Sequence, residues 1–553
     1  MRNVEEKFKE WLSRSVDQEV NEQLQRMADD KQAMTNAFYK DLEFGTGGLR
    51  GELGAGTNCL NVYTIRKVTK GIADCMKVHG WTRAAVSCDS RINSALFART
   101  VAEVFASCGI KTFLTKELMP TPFLSYITRA TGSDVGVMIT ASHNPARYNG
   151  YKVYGADGCQ LTDNGALEMI GYINKIDPFD VETDVAEKYI ASELIEYIGD
   201  DIIESYLAEV YARRTALAEG IKITYTPLNG AGYKLVPEIL NRMRVASLDI
   251  VPEQSMPDGR FTTCPYPNPE KAEALKLGLK RSDENGSDIL IATDPDCDRV
   301  GIAVRTAEGM RLMSGNEVGV LLADYLLKRR SETGTLPDRP VIVKTIVTTE
   351  LVRKVAAPYN AEIKDVLTGF KYIGDVIGKL EKKGEVDRYI LGFEESYGYL
   401  SGAYVRDKDG VNASMLVAEM AAYYARLGKT LADRMEEIYA QYGLYEHRLM
   451  TYEFAGAEGS VRMAELLKGL RADLPKEIAG ARVVKTVDYL TQTEADLPRS
   501  NVLSFSMDDG SQLVVRPSGT EPLIKVYLTA CKDKRLNEEK FALMKAELDK
   551  RFV

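Results

Sequence analysis

The chain has 553 residues, 45% of them apolar and 27% charged, and its formal net charge is -9 at pH 7. That composition is ordinary for a soluble globular protein, and the length suggests about three to five domains at roughly 100–200 residues each. An acidic chain without a basic stripe argues against a general nucleic-acid or membrane-surface role, although a local cationic pocket can still bind an anionic substrate.

The sequence shows no clear targeting signal and no cysteine- or histidine-based metal motif. The first ten residues are charged and lack an apolar core, so we expect no secretory signal, and no apolar run is long enough to span a bilayer. The eight cysteines form no CxxC pair, and three histidines are too few for a multi-histidine metal site. We therefore expect reduced thiols and a cytoplasmic location.

The predicted elements begin with a helical segment from Val4 to Phe38 and a glycine cluster at residues 44–51. Short apolar runs then alternate with longer helical stretches in three successive units, which is typical of α/β layers with mostly parallel sheets. The runs predicted as strands are Ala84–Cys88, Lys111–Leu114, Val135–Ile139, Ile221–Thr226, Ile289–Ala292, Val341–Lys344 and Tyr389–Leu391.

The character of the chain changes near Thr451, where strands and helices mix as in a smaller α+β domain that ends in a charged helix. The predicted fold class is therefore α/β, with three similar α/β domains of mixed, mostly parallel sheets and a C-terminal α+β domain. The predicted domains cover residues 1–205, 206–325, 326–445 and 446–553.

The first of four notable loops, Thr140-Ala-Ser-His-Asn-Pro145, directly follows the apolar run Val135–Ile139. Proteins of the α/β class place ligands at the carboxyl ends of strands. Ser142 offers a hydroxyl nucleophile, which needs a neighbouring base or a group that stabilises its phosphoester. Serine, asparagine and proline are also common in plain polar turns, so this loop alone leaves both interpretations open.

The second loop is Asp294-Pro-Asp-Cys-Asp-Arg299, again after a predicted strand. Three crowded carboxylates repel one another unless a cation or protons compensate them. Mg²⁺ takes oxygen ligands and completes its shell with phosphate or water, and Arg299 fits a phosphate clamp. A solvated acidic turn is the alternative, whereas an EF-hand calcium loop lacks the required glycine and terminal glutamate.

Two further loops follow strands in the second half of the chain. Gly392-Phe-Glu-Glu-Ser-Tyr-Gly398 carries carboxylates and a hydroxyl that can bind adjacent sugar hydroxyls. Residues 516–522, Arg-Pro-Ser-Gly-Thr-Glu-Pro, combine an arginine, two hydroxyls and an exposed backbone into a compact anion cradle. Each of the two is also compatible with an ordinary surface turn.

In this order the four loops resemble those of the α-D-phosphohexomutase family, which includes phosphoglucomutases and phosphomannomutases, over nearly the whole chain. The resemblance implies a central cleft between the domains as the active site. It implies that Ser142 is the phosphoserine, and that Asp294, Asp296 and Asp298 bind Mg²⁺ together with an oxygen of that phosphoserine.

The resemblance also implies roles for the remaining loop residues. Residues expected to bind the substrate are Arg299, Lys371, Glu394, Ser396, Arg516, Ser518, Gly519 and Thr520. Arg50 and Lys152 match positions near the phosphoserine, and Lys152 is the first candidate for the general acid/base. His143 either assists the chemistry or stabilises the turn. One departure is Gly47, where many members of the family have serine.

The activity implied by the resemblance is interconversion of glucose 1-phosphate and glucose 6-phosphate, with hexose 1,6-bisphosphate as intermediate and activator. The Glu-Glu-Ser loop and the long N-terminal extension look closest to the phosphoglucomutase/phosphopentomutase branch. Phosphomannomutase or phosphopentomutase activity is the alternative. A hexose-bisphosphate synthase and a noncatalytic sugar-phosphate-binding protein are rivals of another class. The expected partner is a small sugar phosphate, without nucleic acid or membrane, and the expected state is a monomer or homodimer.

Overall fold

The structure is a computed structural model that describes residues 3–45, 47–454, 456–491, 497–518 and 523–552. Among the helices in these ranges, none has the length and apolar character needed to cross a bilayer.

The N-terminal segment folds into α1 (Val4–Arg14), α2 (Gln18–Met27) and α3 (Lys31–Phe38) instead of one continuous helix. The breaks fall where Asp17 and Asp30 accept hydrogen bonds from main-chain N–H groups of the helix that follows, as capping residues do. Trp11 packs edge-to-face on Phe38, with ring centroids 5.7 Å apart. Buried side chains of these helices belong to the same apolar cluster as side chains of residues 62–88, so the helices cover the first α/β layer.

The first layer contains β1 (Gly48–Glu52), α4 (Val62–His79), β2 (Arg83–Cys88), α5 (Ser94–Ser107), β3 (Lys111–Leu114), α6 (Thr121–Ala130), β4 (Val135–Ile139), β5 (Tyr148–Gly155), α7 (Asp163–Ile173), α8 (Ala186–Ala191), β6 (Ile195–Tyr197) and α9 (Asp200–Tyr211). Its strand order is β1-β5-β4-β2-β3-β6. Strand β2 runs parallel to β3 and β4, while β5 and β1 add an antiparallel edge beside β4.

The antiparallel edge of this sheet was not predicted, because glycines in both strands look like turns. Gly48 is required where the two strands meet, since a Cβ at that position would lie 1.9 Å from the Tyr151 carbonyl oxygen. The edge positions two predicted site residues, because Arg50 lies on β1 and Lys152 on β5.

The second layer contains β7 (Lys222–Thr226), α10 (Gly232–Arg242), β8 (Ser247–Ile250), α11 (Ala272–Asn285), β9 (Ile289–Thr293), β10 (Val300–Thr306) and β11 (Gly309–Met313). The third contains α12 (Gly315–Glu332), β12 (Val341–Thr345), α13 (Leu351–Ala356), β13 (Glu362–Val366), α14 (Phe370–Lys382), β14 (Tyr389–Glu394), β15 (Gly398–Leu400), α15 (Gly410–Arg426) and α16 (Leu431–Tyr442). Both sheets are mixed, with orders β11-β10-β9-β7-β8 and β13-β12-β14-β15.

The last layer contains β16 (Glu446–Glu453), α17 (Gly456–Ala472), β17 (Glu477–Ile478), β18 (Ala481–Asp488), β19 (Leu503–Met507), β20 (Gln512–Pro517), β21 (Leu523–Ala530) and α18 (Lys534–Phe552). Its strands, in the order β16-β21-β20-β19-β18-β17, all pair antiparallel. Three α/β layers followed by an antiparallel α+β layer confirm the predicted fold class.

One buried apolar core runs from the first layer through the third, whereas the last layer has a core of its own. A small cluster that includes Ile346 and Tyr489 joins the third layer to the fourth. The domain boundaries near residues 205, 325 and 445 stay predictions. Residue 205 lies within α9 and residue 325 lies within α12. Boundaries placed just outside these two helices would not divide them.

Candidate active site

The loops after β4 and β9 bring the predicted nucleophile and the predicted metal ligands together. Ser142 is 4% exposed, and its hydroxyl donates a hydrogen bond to Oδ2 of Asp294 at 2.9 Å. The other oxygen of Asp294 accepts from the main-chain N–H groups of Asp298 and Arg299 at 3.0 and 2.9 Å. Residues that are 152 positions apart in the chain therefore share one site.

A non-glycine residue with a left-handed backbone lies in each of three loops. The φ angles are 53° for Ser142, 51° for Cys297 and 66° for Tyr397. Such conformations are costly for side-chain-bearing residues and persist only where the surroundings hold them. The surrounding structure therefore holds each of these three loops in a fixed backbone conformation.

The aspartate cluster fits a divalent cation. One carboxylate oxygen from each of Asp294, Asp296 and Asp298 lies within 4.8 Å of the others. The Oδ1 atoms of Asp296 and Asp298 are buried without a hydrogen-bond partner. Buried carboxylate oxygens that lack a donor are costly unless a cation or protons compensate them, and hard cations prefer oxygen ligands of this kind.

Charge repulsion is visible in the pKa values of this cluster. Burial, followed by the neighbouring Asp296 and Asp298 carboxylates, raises the pKa of Asp294 well above its ordinary value. Burial also opposes ionisation of Asp296, but Lys152, together with Asp294 and Lys408, outweighs it and lowers the Asp296 pKa. The cluster therefore has two carboxylate environments. The Asp294 carboxylate lies mainly among other carboxylates, whereas the Asp296 carboxylate is paired with the Lys152 ammonium group.

Two lysines contact the cluster. Nζ of Lys152 lies 2.8 Å from Asp296 and 3.4 Å from Asp298, and Nζ of Lys408 lies 2.9 Å from Asp298. Burial would lower the Lys152 pKa, but the two carboxylates outweigh it and the pKa is raised. Lys152 is therefore an ammonium group, able to donate a proton.

Lys408 was not predicted as a site residue from the sequence. It lies just before α15, between Asp407 and Asp409, where a charged triplet looks like a solvated turn. Burial would lower its pKa, but Asp298 and then Asp407 raise it. Only the three-dimensional approach of the third layer to the second brings it to the aspartates.

His143 and Arg50 lie beside Ser142. Nδ1 of His143 is 3.2 Å from the Ser142 hydroxyl oxygen, and burial, followed by Arg299 and Arg50, lowers the His143 pKa well below its ordinary value. The imidazole is therefore neutral and able to accept a proton. Nη1 of Arg50 lies 3.5 Å from the side-chain oxygen of Asn144 in the same loop.

Arg299 connects the aspartate loop with the predicted sugar loop. Its Nη1 atom donates to Glu270 at 2.7 Å and to the main-chain oxygen of Ser396 at 2.9 Å. Any phosphate that binds Arg299 would share the guanidinium with these two acceptors. The structure thus places Arg299 and the backbone of Ser396 in direct contact.

Glu394 is the buried carboxylate of the sugar loop, at 5% exposure. Its Oε1 atom accepts from the Gly369 N–H at 3.0 Å, which brings it near Lys371 at the start of α14. Burial raises the Glu394 pKa to about 7, although Lys408 opposes the shift. The neighbouring Glu395 instead accepts from Thr345 and Thr348, each at 3.1 Å, which favours a structural role.

The fourth loop approaches the sugar loop from the last layer. Arg516 lies on β20, and the N–H of Ser518 donates to the Leu523 carbonyl at 2.8 Å. Burial, followed by Glu395, raises the pKa of Tyr527 to about 12, while Arg516 lowers it. Arg516 and the sugar loop therefore influence the same phenol. The predicted phosphate-binding residues Gly519 and Thr520 lie outside the described residues.

Gly47, where many members of the family have serine, lies against the side chain of Gln160. The amide nitrogen of Gln160 donates to the Gly47 carbonyl at 3.0 Å, and a Cβ at Gly47 would lie 2.7 Å from that nitrogen. The Gln160 amide therefore occupies the space that a serine side chain would need.

Comparisons with known proteins agree with this geometry. Family models described as phosphoglucomutase/phosphomannomutase α/β/α domains I, II and III match residues 41–179, 204–309 and 314–442, and the C-terminal domain model matches residues 461–546. Curated phosphoglucomutases of Staphylococcus haemolyticus and Staphylococcus aureus are each 34% identical, covering 89% and 94% of this chain and 91% and 94% of their own.

Solved structures share the fold at lower identity. A crystal structure of a phosphomannomutase from Thermus thermophilus has a TM-score of 0.70 at 21% identity and covers 92% of this chain and 99% of its own. Parafusin from Paramecium has a TM-score of 0.69 at 17% identity, covering 92% and 94%.

The resemblance drawn from the four loops is thus confirmed over all four domains. The chain belongs to the phosphoglucomutase/phosphomannomutase family and is an enzyme of the phosphohexomutase class, an isomerase that transfers phosphoryl groups.

The raised pKa of Glu394 leads to a prediction about stability. Because the folded state binds this proton more tightly than the unfolded chain, stability falls as pH rises from about 4.5 to about 7. Glu394→Gln removes the ionisation and is expected to stabilise the protein by up to about 3 kcal/mol at pH 8, but not at pH 4.5. Urea unfolding at both pH values, with the exposed Glu284→Gln as control, measures this. An equal effect at both values would contradict it.

Proposed function

We propose that this enzyme interconverts glucose 1-phosphate and glucose 6-phosphate through a phosphorylated Ser142 and a hexose 1,6-bisphosphate intermediate. The observation that carries the proposal is the Ser142 hydroxyl held 2.9 Å from a buried aspartate cluster. A nucleophile beside a site for a divalent cation suits phosphoryl transfer, which depends mainly on positioning and charge stabilisation. The names of the curated relatives support the choice of a glucose phosphate.

Asp294, Asp296 and Asp298 would hold Mg²⁺, together with an oxygen of the phosphorylated Ser142. When bound, the ion supplies positive charge next to the transferring group. The unpartnered Oδ1 atoms of Asp296 and Asp298 support this assignment. Arg50, which contacts Asn144 in the same loop, would add a fixed positive charge close to Ser142, where negative charge develops during transfer.

We assign proton transfer to Lys152 and His143, because one is protonated and the other is neutral. Lys152, an ammonium group beside Asp296, would donate a proton to the departing oxygen. His143 is neutral and lies 3.2 Å from the Ser142 oxygen, so it would accept the proton of the dephosphorylated serine. This division makes Lys152 the acid and gives His143 a chemical role, beyond that of a turn residue.

Substrate recognition is assigned to the third and fourth loops. The residues proposed to bind sugar hydroxyls and the non-reacting phosphate are Arg299, Lys371, Glu394, Ser396, Arg516, Ser518, Gly519 and Thr520. The fourth loop must accept a phosphate from either end of the sugar, because the bisphosphate turns over between the two transfers. Closure during transfer would exclude water and protect the phosphoserine from hydrolysis.

The decisive experiment compares turnover on glucose, mannose and pentose 1-phosphates, since mannose or pentose preference is the alternative. A second assay compares the rate with added sugar bisphosphate and the rate with an added acyl-phosphate donor. A mutase depends on the sugar bisphosphate, whereas a bisphosphate synthase depends on the donor. Intact-mass detection of one phosphate on the purified protein argues against a noncatalytic binding protein. Equal inactivity on all three sugars would contradict the proposal.

Lys152→Met tests the assignment of the proton donor. Loss of a general acid is expected to lower kcat about 10²- to 10³-fold with little change in KM, because the substrate-binding loops are untouched. Lys540→Met is the matched control, since Lys540 is similarly shielded, at 11% against 14% side-chain exposure, and pairs with Asp509 in the last layer. Near-normal kcat for Lys152→Met would rule out this role.

A cytoplasmic location and a monomeric or homodimeric state complete the proposal. All eight cysteines are free thiols, which fits a reducing compartment. Light scattering on the purified protein would establish the oligomeric state.

A further inference from the structure

Arg91 holds the main chain of the loop that contains Ser142. It lies after β2, and its side chain is fully buried. Its guanidinium donates to the carbonyl oxygens of Pro145 and Tyr148, both at 3.0 Å, of Ser142 at 2.5 Å, and of Asn144. A single side chain therefore binds four main-chain carbonyls of the loop, from that of the nucleophile itself to that of Tyr148.

The guanidinium is itself fixed from two directions. Its Nε atom lies 3.4 Å from Oδ2 of Asp89, and its carbon lies 5.1 Å from the centroid of the Phe261 ring in the second layer. The backbone of Arg91 also forms a parallel bridge with Gly259, where a Cβ would lie 2.5 Å from the Ile92 nitrogen. Arg91 thus joins the Ser142 loop to the layer that carries the aspartates.

We propose that Arg91 is the positioning residue that keeps Ser142 in its left-handed conformation, with the hydroxyl directed at Asp294. This role rests on the proposed function of Ser142. A backbone at φ 53° is held only by strong surrounding contacts, and charge-assisted hydrogen bonds to carbonyls provide them. Phosphoryl transfer is sensitive to this geometry, because a displacement of about 1 Å can cost about 100-fold in rate.

The test uses Arg91→Lys, which keeps the charge but loses the fork of donors. Glucose 1,6-bisphosphate is mixed with dephosphorylated protein, and phosphorylation of Ser142 is followed by intact mass in a single turnover. We expect the rate to fall about 100-fold while affinity for glucose 6-phosphate, measured by calorimetry, stays within about threefold. Arg305→Lys is the matched control, because Arg305 binds the Ser287 and Ser282 carbonyls away from the site.

The outcomes separate this role from the proposed function. Phosphorylation of Arg91→Lys at the wild-type rate, or equal losses in rate and affinity, overturns the role of Arg91 alone. A wild-type protein that never accepts phosphate overturns the proposed function as well. Should Arg91→Lys not fold, Phe261→Leu loosens the guanidinium without removing it. That variant is expected to slow phosphorylation about three- to tenfold, and an unchanged rate overturns the role.

A second cluster of metal-ligating side chains lies on the first layer, away from the aspartates. One ligand atom from each of Cys75, His79 and Glu168 lies within 4.8 Å of the others. Cys75 and His79 are four residues apart on α4 and so share one helix face, while Glu168 comes from α7. Nε2 of His79 and Oε1 of Glu168 are already 2.8 Å apart.

We infer that Cys75, His79 and Glu168 form a binding site for a zinc-like divalent cation. Sulfur, imidazole nitrogen and carboxylate oxygen are the three ligand types that Zn²⁺ takes, and solvent at the exposed His79 side can complete four-coordination. Binding breaks the sulfur–hydrogen bond of Cys75 and releases that proton to water. The bound ion would cross-link α7 to α4.

Trp81 supplies a natural reporter for this site. Its ring stacks on His79 at 4.6 Å between centroids, and the sequence has only two tryptophans, of which Trp11 is buried among the N-terminal helices. Zinc chloride is titrated into the full chain in the presence of Mg²⁺, and tryptophan emission is followed. We expect saturation at one equivalent, with the affinity lowered at least about tenfold by His79→Asn or Glu168→Gln.

Cys531→Ser, which alters a cysteine of the last layer, is the matched control and is expected to bind zinc as the wild type does. Cys75→Ser is expected to weaken binding at least as much as the two surface variants. Absence of an emission change in the wild type overturns the site. Unchanged affinity in both surface variants, which have exposed side chains and do not threaten folding, overturns it equally.

Discussion

Replacing Ser142 by alanine is expected to lower interconversion of glucose 1-phosphate and glucose 6-phosphate by at least about 10⁴-fold. Without the hydroxyl no covalent acceptor exists, and the remaining loops can bind the sugar but cannot store the phosphoryl group. The fold should persist, because Asp294 still accepts two main-chain hydrogen bonds after it loses the serine donor. A coupled assay and a thermal melt on the same preparation measure both effects.

Ser133→Ala is the matched control for this variant. Ser133 is also buried in the first layer but lies before β4, at the strand end away from the aspartates. Intact mass adds a second readout, since wild-type protein exposed to glucose 1,6-bisphosphate should gain one phosphate and Ser142→Ala none. Near-normal turnover in Ser142→Ala, or equal phosphorylation of both proteins, would remove Ser142 from the mechanism.

Strand ends explain why much of the site could be predicted from the sequence. Short apolar runs mark buried strands, and ligand-binding residues follow them at the carboxyl end. The run Val135–Ile139 was predicted with the bounds that β4 has, and the predicted strand before Asp294 differs from β9 by one residue. Ser142 and the aspartates follow these two strands, so their proximity could be predicted from the sequence.

Residues that reach the site only through tertiary packing could not be predicted in the same way. Lys408 and Arg91 lie in charged loops without a periodic pattern, and each acquires its partners from another part of the chain. The edge strands β1 and β5 were missed because glycine, which their close approach requires, is normally a sign of a turn. The local preference of glycine for turns therefore led to a wrong prediction at the place where two backbones pack closely and only glycine fits.

The charge states around Ser142 could not be predicted from residue types either. Lys152 and His143 were both considered for proton transfer, with Lys152 favoured. In the structure the Lys152 pKa is raised by carboxylates that outweigh burial, whereas burial and nearby arginines lower the His143 pKa. These opposite pKa shifts fit the proposed roles of Lys152 as proton donor and of His143 as proton acceptor.

Asp296→Asn is expected to reduce Mg²⁺-dependent turnover by about 10³-fold, because an amide is a much weaker ligand and removes one of three negative charges. The side chain keeps its shape, and its Oδ2 position can still accept from Thr121, now 3.0 Å away. Because the Asp296 pKa is lowered in the folded state, its charge stabilises the fold at neutral pH, so the metal-free melting temperature of the variant should lie below the wild-type value.

Stabilisation by Mg²⁺ provides a readout of Asp296→Asn that does not depend on catalysis. A ligand that binds only the folded state stabilises it by about 2.7 kcal/mol at a hundredfold excess over Kd, so the wild-type melting temperature should rise with Mg²⁺ and that of the variant should not. Asp324→Asn is the control, since Asp324 is a buried carboxylate that pairs with Arg434 away from the site. It should lower stability yet retain the response to Mg²⁺. If EDTA and Asp296→Asn both leave turnover unchanged, the aspartate cluster is not a metal site, and the buried Oδ1 atoms must be satisfied by protons.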